Sequence, residues 1–398
     1  MKKRKIQIFT LACAVAAAVS AEARETAMSQ SEALDYILRN SPAMRAADLR
    51  AKADSLSAAD DATGLGETEA EFEHLWGPDG NRRWSAGVSQ SFDWPGAYGA
   101  RRRAAAAHAR AYRYGVEAER RNLAYDVKQR MADAVYATKK LELTRSVCRN
   151  IDSLAAYVEE GHRLGQLTIL DVKKSRLEQF NARVAVADAE HDLADALNAV
   201  DALAGNAEMP RVDYGEYIAE PLLEADVYRR YNADNNPDAI LPALQAEAAV
   251  ADAEVAKLSR LPGFSLGYTH AYEDNTHFNG LTVSIGIDLF RGRRNVAAAK
   301  LQYQAAALDA AGAYAVTDLR TNRLYDVARQ RSARLRELSE VTLDSSYPQL
   351  LMMALKGGEI NVIDYLREIN YYDEAQQNLL AADYRLRQTL ITLNRYNP

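Results

Sequence analysis

Cysteine is almost missing from this chain of 398 residues, which has only Cys13 and Cys148. A disulfide framework is therefore excluded, and Cys148, with no histidine beside it, reads as a small packed residue. Proline is absent between Pro95 and Pro210, and glycine between Gly115 and Gly161. An interval so free of helix breakers leaves no place for a series of short elements. Long hydrophobic runs are absent too. The one apolar stretch, Ile6–Ser20, is shorter than the ~20 residues a spanning helix needs. The net charge of −6 argues against a nucleic-acid partner. Histidine is sparse: His74, His108, His162, His191, His270 and His277 form no HExxH or comparable pair, and there is no phosphate loop or nucleophile elbow. Nothing marks an enzyme, and no cofactor or metal site is expected. His270, Asp274 and His277 cluster near a loop and read as solvated residues rather than ligands.

The N-terminus is a secretory signal. Lys2, Lys3, Arg4 and Lys5 precede the apolar stretch, and Ala21-Glu22-Ala23 is a small-x-small cleavage site. Cys13 is a weaker candidate for lipoprotein processing, because the apolar run continues past it. Removal of residues 1–23 leaves 45 basic and 54 acidic residues, a balance of −9.

What the chain does contain, it contains twice. Asn40-Ser41-Pro42 returns as Asn235-Asn236-Pro237, and Ser89, Phe92 and Asp93 return as Ser284, Ile287 and Asp288, both at an offset of 195. Gly165-Gln166-Leu167-Thr168-Ile169-Leu170-Asp171 returns as Gly358-Glu359-Ile360-Asn361-Val362-Ile363-Asp364, at 193. Two copies of one unit follow: residues 24–213 with strands near 68–76 and 84–94 and a helical hairpin near 97–205, then 214–398 with strands near 263–272 and 279–290 and a hairpin near 292–396. Each copy reads helix, two strands, very long helix, tight turn, helix. The fold class expected is mainly α with a small transmembrane β part.

The breaker-free interval is rich in Ala, Arg, Glu and Leu, good helix formers, and predicts one helix over 97–160, ~95 Å long at 1.5 Å per residue. Its repeat runs over 292–356, with a kink at Pro348. Helices of this length are stable beside one another. Leu177, Phe180, Val184 and Ala187 predict the packing seam of the first returning helix; Leu386, Leu390 and Leu393 predict that of the second. Helices are also expected over 29–63, opened by a capping box of Ser29 and Glu32, and over 222–261, disturbed by Pro237 and Pro242. Asp171 and Asp364 fall just inside the returning helices, where a carboxylate suits the positive helix end.

Four segments alternate with period two. Ala70, Phe72 and Trp76 oppose Glu69, Glu71 and Glu73. Trp84, Ala86, Val88, Phe92 and Trp94 oppose Ser85, Gly87, Ser89, Ser91 and Asp93. In the second copy Phe264, Leu266, Tyr268 and Tyr272 oppose Ser265, Gly267 and Thr269; Leu281, Val283, Ile285, Ile287 and Leu289 oppose Gly280, Thr282, Ser284, Gly286 and Asp288. Segments of ~9–11 residues suit tilted strands that cross a bilayer, and aromatics near their ends suit its interfaces. The small and acidic face then lines a wet lumen, with Glu69, Glu71, Glu73, Ser85, Ser89, Asp93, Thr282, Ser284 and Asp288 on it. The alternative is a soluble sheet packed on helices. Four strands cannot close a barrel in lipid, so several copies must share one.

The duplicated Asn-x-Pro, the strand exits Trp94-Pro95-Gly96 and Phe290-Arg291-Gly292-Arg293-Arg294, and the tips Arg163-Leu164-Gly165 and Lys356-Gly357-Gly358 together resemble the TolC-like outer-membrane efflux channels over nearly the whole mature chain. The resemblance implies a homotrimer: a 12-stranded barrel in outer-membrane lipid and a 12-helix periplasmic tunnel in a Gram-negative cell. It implies partners, namely a periplasmic adaptor of the membrane-fusion class and an inner-membrane transporter of RND, ABC or MFS type, or a type I secretion system. It assigns adaptor docking to Arg163, Leu164, Gly165, Lys356, Gly357 and Gly358, where the glycines serve equally to end helices. It groups Asp364, Arg367 and Asp171 as a pore gate. The family's D-x-x-D pattern reads here Asp364-Tyr365-Leu366-Arg367, so an Asp364–Arg367 latch, within or between chains, stands beside an ordinary surface pair. The other class of function open to the sequence is a soluble periplasmic coiled-coil scaffold or adaptor.

Overall fold

A computed structural model describes residues 27–77, 82–205, 209–273, 275–286, 293–341 and 346–396. The signal segment 1–23 with Cys13, the loop residues Pro78–Asn81, Asp274, and Ile287–Gly292 lie outside them. The elements in chain order are α1 Gln30–Asn40, α2 Pro42–Thr63, β1 Thr68–Trp76, β2 Arg82–Phe92, α3 Pro95–Arg163, α4 Ile169–Leu203, α5 Ala225–Asn235, α6 Pro237–Leu258, β3 Gly263–Glu273, β4 Thr276–Gly286, α7 Arg293–Val341, α8 Tyr347–Gly357 and α9 Val362–Leu393.

The helix boundaries follow from local signals. The Ser29–Glu32 capping box is present, Glu32 Oε2 accepting the Ser29 N–H at 2.9 Å. The helix it opens ends at Asn40, because a residue before proline is pushed out of the helical region; Ser41 takes φ −56° and ψ 123°. Asn236 before Pro237 does the same between α5 and α6. Pro242 does not break α6, since it lies near the start and forfeits a single internal bond. The helix expected over 292–356 forms as α7 and α8, with 342–345 outside the described residues, and Pro348 sits in the first turn of α8, where a missing N–H costs nothing.

The described residues form two compact units, and neither is one of the two copies. One takes residues up to Pro42, Leu123–Leu222 and Val327–Thr392. Its core has two clusters. Ile151, Leu154 and Val158 of α3 pack with Val172 of α4, Leu351 and Leu355 of α8, and Val362, Tyr365, Leu366 and Ile369 of α9. Ala33 and Ile37 of α1 pack with Val127, Met131 and Ala134 of α3 and Val200 of α4. Leu386, Leu390 and Leu393 of the second predicted seam are buried. The first seam is a correction. Leu177 and Phe180 are 59% and 64% exposed, and Val184 and Ala187 are exposed too. α4 instead turns Val172, Ser175 and Ala189 inward, and ion pairs such as Lys140–Asp192 (2.8 Å) and Arg145–Glu190 (2.7 Å) hold it to α3. The apolar stripe faces away from its own hairpin.

The other unit takes Ala43–Asn122, Leu223–Asp326 and the residues from Leu393 onward. In it α3 buries Ala97, Ala100, Ala104, Ala107, Ala111 and Ala118, a stripe at alternating spacings of three and four. Methyl side chains admit a neighbouring helix closely. α3 is pinned to α6 by Arg103–Glu254 (2.7 Å), Arg110–Glu247 and His108–Asp252 (3.0 Å). The sheet belongs to this unit. It is antiparallel throughout, in the order β1-β2-β3-β4, so the two copies meet where β2 pairs with β3.

Candidate functional site

The cross-strand register sorts the sheet into two faces. Glu69, Ser89, Gly267 and Thr282 form one row, Glu71, Gly87, Thr269 and Gly280 the next, and Glu73, Ser85 and Ala271 a third. Ser91, Ser265 and Ser284 extend the same face. The Ser85 hydroxyl donates to Glu73 at 3.4 Å. Opposite lie Ala70, Val88, Tyr268 and Leu281, then Gln90, Leu266 and Val283, then Phe92, Phe264 and Ile285. This second face is bare: Leu281 is 86% exposed, and Phe72, Trp76, Val88, Val283 and Ile285 are exposed with it. Apolar side chains on one side and small or acidic ones on the other suit a wall between two different media.

Two predicted lumen residues are not in these rows. Asp288 lies outside the described residues. Asp93 follows the last residue of β2 and anchors the passage into α3: its carboxylate pairs with Arg101, and its N–H donates to the Tyr98 hydroxyl at 3.0 Å. The strand stops there because Pro95 opens the helix. β4 begins at Thr276, three residues before the expected start, after a two-residue loop in which Asn275 takes φ 63°. The early start adds His277 to the apolar face and Phe278 to the polar one.

Each helical hairpin closes on a glycine in the left-handed region. Gly165 has φ 74° and Gly358 φ 75°, a conformation other residues enter only at a cost. In the first tip the Gln166 N–H reaches back to the Gly161 carbonyl at 2.8 Å. Arg163 is occupied by both carboxylate oxygens of Glu160, at 2.8 and 2.5 Å, which lowers the Glu160 pKa and raises that of the guanidinium. Leu164 has no such engagement and is 54% exposed. In the second tip the Glu359 N–H reaches the Ala354 carbonyl at 2.9 Å; Lys356 and Gly357 end α8, both exposed.

The three predicted gate residues receive different partners. Asp171 caps α4, accepting from the Thr168 N–H at 2.9 Å and the Thr168 hydroxyl at 2.7 Å, bonds that hold its carboxyl below the usual range. In the second copy Asn361 is the cap, its side-chain oxygen accepting from the N–H groups of Ile363 and Asp364. The Asp364 carboxylate is thereby released, and Arg367 takes it at 3.0 Å. Glu368 also approaches Arg367, at 3.5 Å.

One titratable group gives no sign of itself in the sequence. Asp373, nine residues beyond Asp364 on α9, is only 6% exposed, and its Oδ1 has no hydrogen-bond partner. Burial pushes its pKa up to about 6. The same surroundings, with the Asp373 charge as second cause, push the Tyr365 hydroxyl up to about 12. Cys148 is half-buried and its thiol raised, chiefly by burial, as for a packed rather than a reactive residue.

Among the described residues no three His, Cys, Asp or Glu side chains gather around a metal-sized space, and no helix is long and apolar enough to cross a membrane. Of the histidine cluster near the second loop, His270 and His277 do come together, with Nε2 and Nδ1 at 3.3 Å, while Asp274 lies outside the described residues.

Residues 77–206 match the family model described as outer membrane efflux protein. No curated protein matches the chain in sequence. Among solved structures, the Campylobacter jejuni CmeC outer membrane channel superposes with a TM-score of 0.77 at 14% identity, covering 92% of this chain and 85% of that one. The open state of the Neisseria gonorrhoeae MtrE outer membrane channel gives 0.74 at 16%, covering 92% and 88%. CusC, described in terms of folding and transmembrane channel formation, gives 0.71 at 20%, covering 92% and 91%. The TolC-like resemblance is thus present in a sequence segment and in the fold of nearly the whole chain.

Proposed function

We propose that this chain, with its outer membrane efflux protein segment and the fold of outer-membrane channels, is the exit duct of a tripartite efflux pump or type I secretion system in a Gram-negative outer membrane. The observation that carries this reading is the sheet. It presents a bare apolar face, a small and acidic face, and two outer edges, β1 and β4, with no further strand beyond either among the described residues. In hydrocarbon every backbone group needs a partner, and spanning barrels have at least eight strands. Three copies joined edge to edge supply twelve. The stripe of Leu177, Phe180 and Val184 on α4, and exposed Leu301, Leu308, Val316 and Leu319 on α7, supply apolar surface for neighbouring copies to cover.

In such a duct the rows of Glu69, Glu71, Glu73, Ser85, Ser89, Thr282 and Ser284 face the water that carries cargo. Small molecules, drugs or metal ions pass passively, and a wall of Ser, Thr, Gly and Glu selects little among them. The driving energy comes from an inner-membrane transporter of RND, ABC or MFS type. A periplasmic adaptor meets the tips at Arg163–Gly165 and Lys356–Gly358, where Leu164 is the apolar anchor. Asp364 and Arg367 act as the gate, and Asp171 supports its own hairpin as a cap.

The test is fractionation followed by mass measurement. Native-sequence protein should sediment with outer membranes, require detergent for release, run as three chains, and conduct ions in planar bilayers. Protein that washes free in salt as a monomer is a periplasmic scaffold, and the reading fails.

A further inference from the structure

The turn end of the sheet carries an imidazole pair that the duct does not use. His270 of β3 and His277 of β4 stand diagonally across one strand pairing, their rings 5.3 Å apart at 25° and their facing nitrogens, Nε2 of His270 and Nδ1 of His277, at 3.3 Å. The tautomer of His270 is set from behind. Its Nδ1 lies 2.8 Å from Oδ1 of Asn279, an acceptor that also receives the Tyr268 hydroxyl at 2.7 Å. An amide oxygen donates nothing, so the proton is on Nδ1 and the Nε2 lone pair points toward His277. Aromatic rings fix both imidazoles: Trp84 lies 5.4 Å from His270, and Tyr272 4.9 Å from His277.

We propose that His270 Nε2 and His277 Nδ1 bind one divalent ion of the imidazole-preferring class, such as Zn²⁺ or Cu²⁺, with water completing its shell. Two nitrogens each ~2.0–2.1 Å from a tetrahedral ion stand about 3.3 Å apart, so the pair already has the required bite. An imidazole whose second nitrogen donates to an oxygen is the usual arrangement around such ions, and Asn279 provides that oxygen. In the ion-free form one N–H bridges the two nitrogens; the ion replaces it, and His277 carries its proton on Nε2 instead. Binding ties β3 to β4 beside their loop, at the strand ends farthest from Gly263 and Gly286. The ion is a fixture of the wall here, apart from any cargo in the duct.

The experiment is calorimetric titration of untagged full-length protein in detergent with ZnCl₂. One saturable site per chain is expected. It should weaken about tenfold or more in His270→Ala and His277→Ala, and about tenfold in Asn279→Ala, which removes the orienting oxygen. His74→Ala, on β1 and two strand pairings from His270, should leave it intact. Because a variant that fails to assemble would also lose the site, Cu²⁺ electron paramagnetic resonance on the native sequence gives a second readout. Coupling to two imidazole nitrogens supports the proposal. Coupling to one or none, the absence of saturable Zn²⁺ binding, or full Zn²⁺ binding in the doubly substituted His270→Ala/His277→Ala protein overturns it.

Discussion

Arg367 holds Asp364 at 3.0 Å, one turn away on the same helix of the same chain. The pair is partly exposed, and an exposed i,i+3 pair stabilises a helix by only ~0.2–0.5 kcal/mol. Replacing Arg367 by alanine should therefore leave thermal unfolding nearly unchanged. If the pair is a latch, single-channel conductance in planar bilayers should rise in both Arg367→Ala and Asp364→Ala. Conductance equal to that of the native sequence in both variants removes the latch and leaves a surface ion pair.

Leu164→Asp addresses docking without touching the fold. Leu164 is exposed at the tip and the adjacent Arg163 is already held by Glu160, so an added carboxylate should not disturb assembly. Export in cells should be lost while detergent-extracted protein keeps its native mass. Normal export would count against docking at this tip.

The two adjacent glycines of the second tip should answer differently. Gly358 has φ 75°, so Gly358→Ala forces a side chain into the left-handed region at about 1–2 kcal/mol. Gly357 is helical and meets nothing closer than 3.9 Å, so Gly357→Ala should be neutral or stabilising by up to ~1 kcal/mol. Thermal melts of the two variants side by side decide the matter.

Asp373 makes stability fall as pH rises. Its folded pKa of about 6 lies above the ordinary aspartate value of 3.8, so between those values the folded chain holds a proton the unfolded chain has lost. The contribution is most favourable below 3.8 and is lost as pH climbs through 6. Two pKa units correspond to about 3 kcal/mol. Asp373→Asn should thus stabilise the protein at neutral pH by up to about that amount. The difference between its stability and that of the native sequence should vanish near pH 4. A difference that does not vary with pH would show that Asp373 ionises freely.

Much of this architecture can be read from the residues. Alternation at Val88-Ser89 and Val283-Ser284 is strict enough to assign both faces, because side chains on a pleated strand have two places to go. The Ser29–Glu32 cap and the Leu386–Leu393 seam are local signals with local outcomes. Leu177 and Phe180 show the limit. Periodicity reveals that a helix has an apolar side, yet it is silent on whether the covering surface belongs to the same hairpin. Asp373 is harder still. In Tyr371-Tyr372-Asp373 it resembles any acid on a charged helix, and nothing in that local pattern marks it as only 6% exposed. Asp171, expected at a gate, is legible as a helix-end carboxylate, but only the structure shows it closing a capping box with Thr168.

The interleaving of the two units governs how this chain can mature. The sheet-bearing unit receives Asn394, which accepts from Tyr228 at 3.1 Å, and the other receives Leu386 and Leu390. A polypeptide emerging N-terminus first therefore carries both bodies unfinished through nearly the whole of its synthesis. Their long helices wait for the closing segment with apolar surface uncovered, so shortening at the tail should leave both bodies incomplete at once.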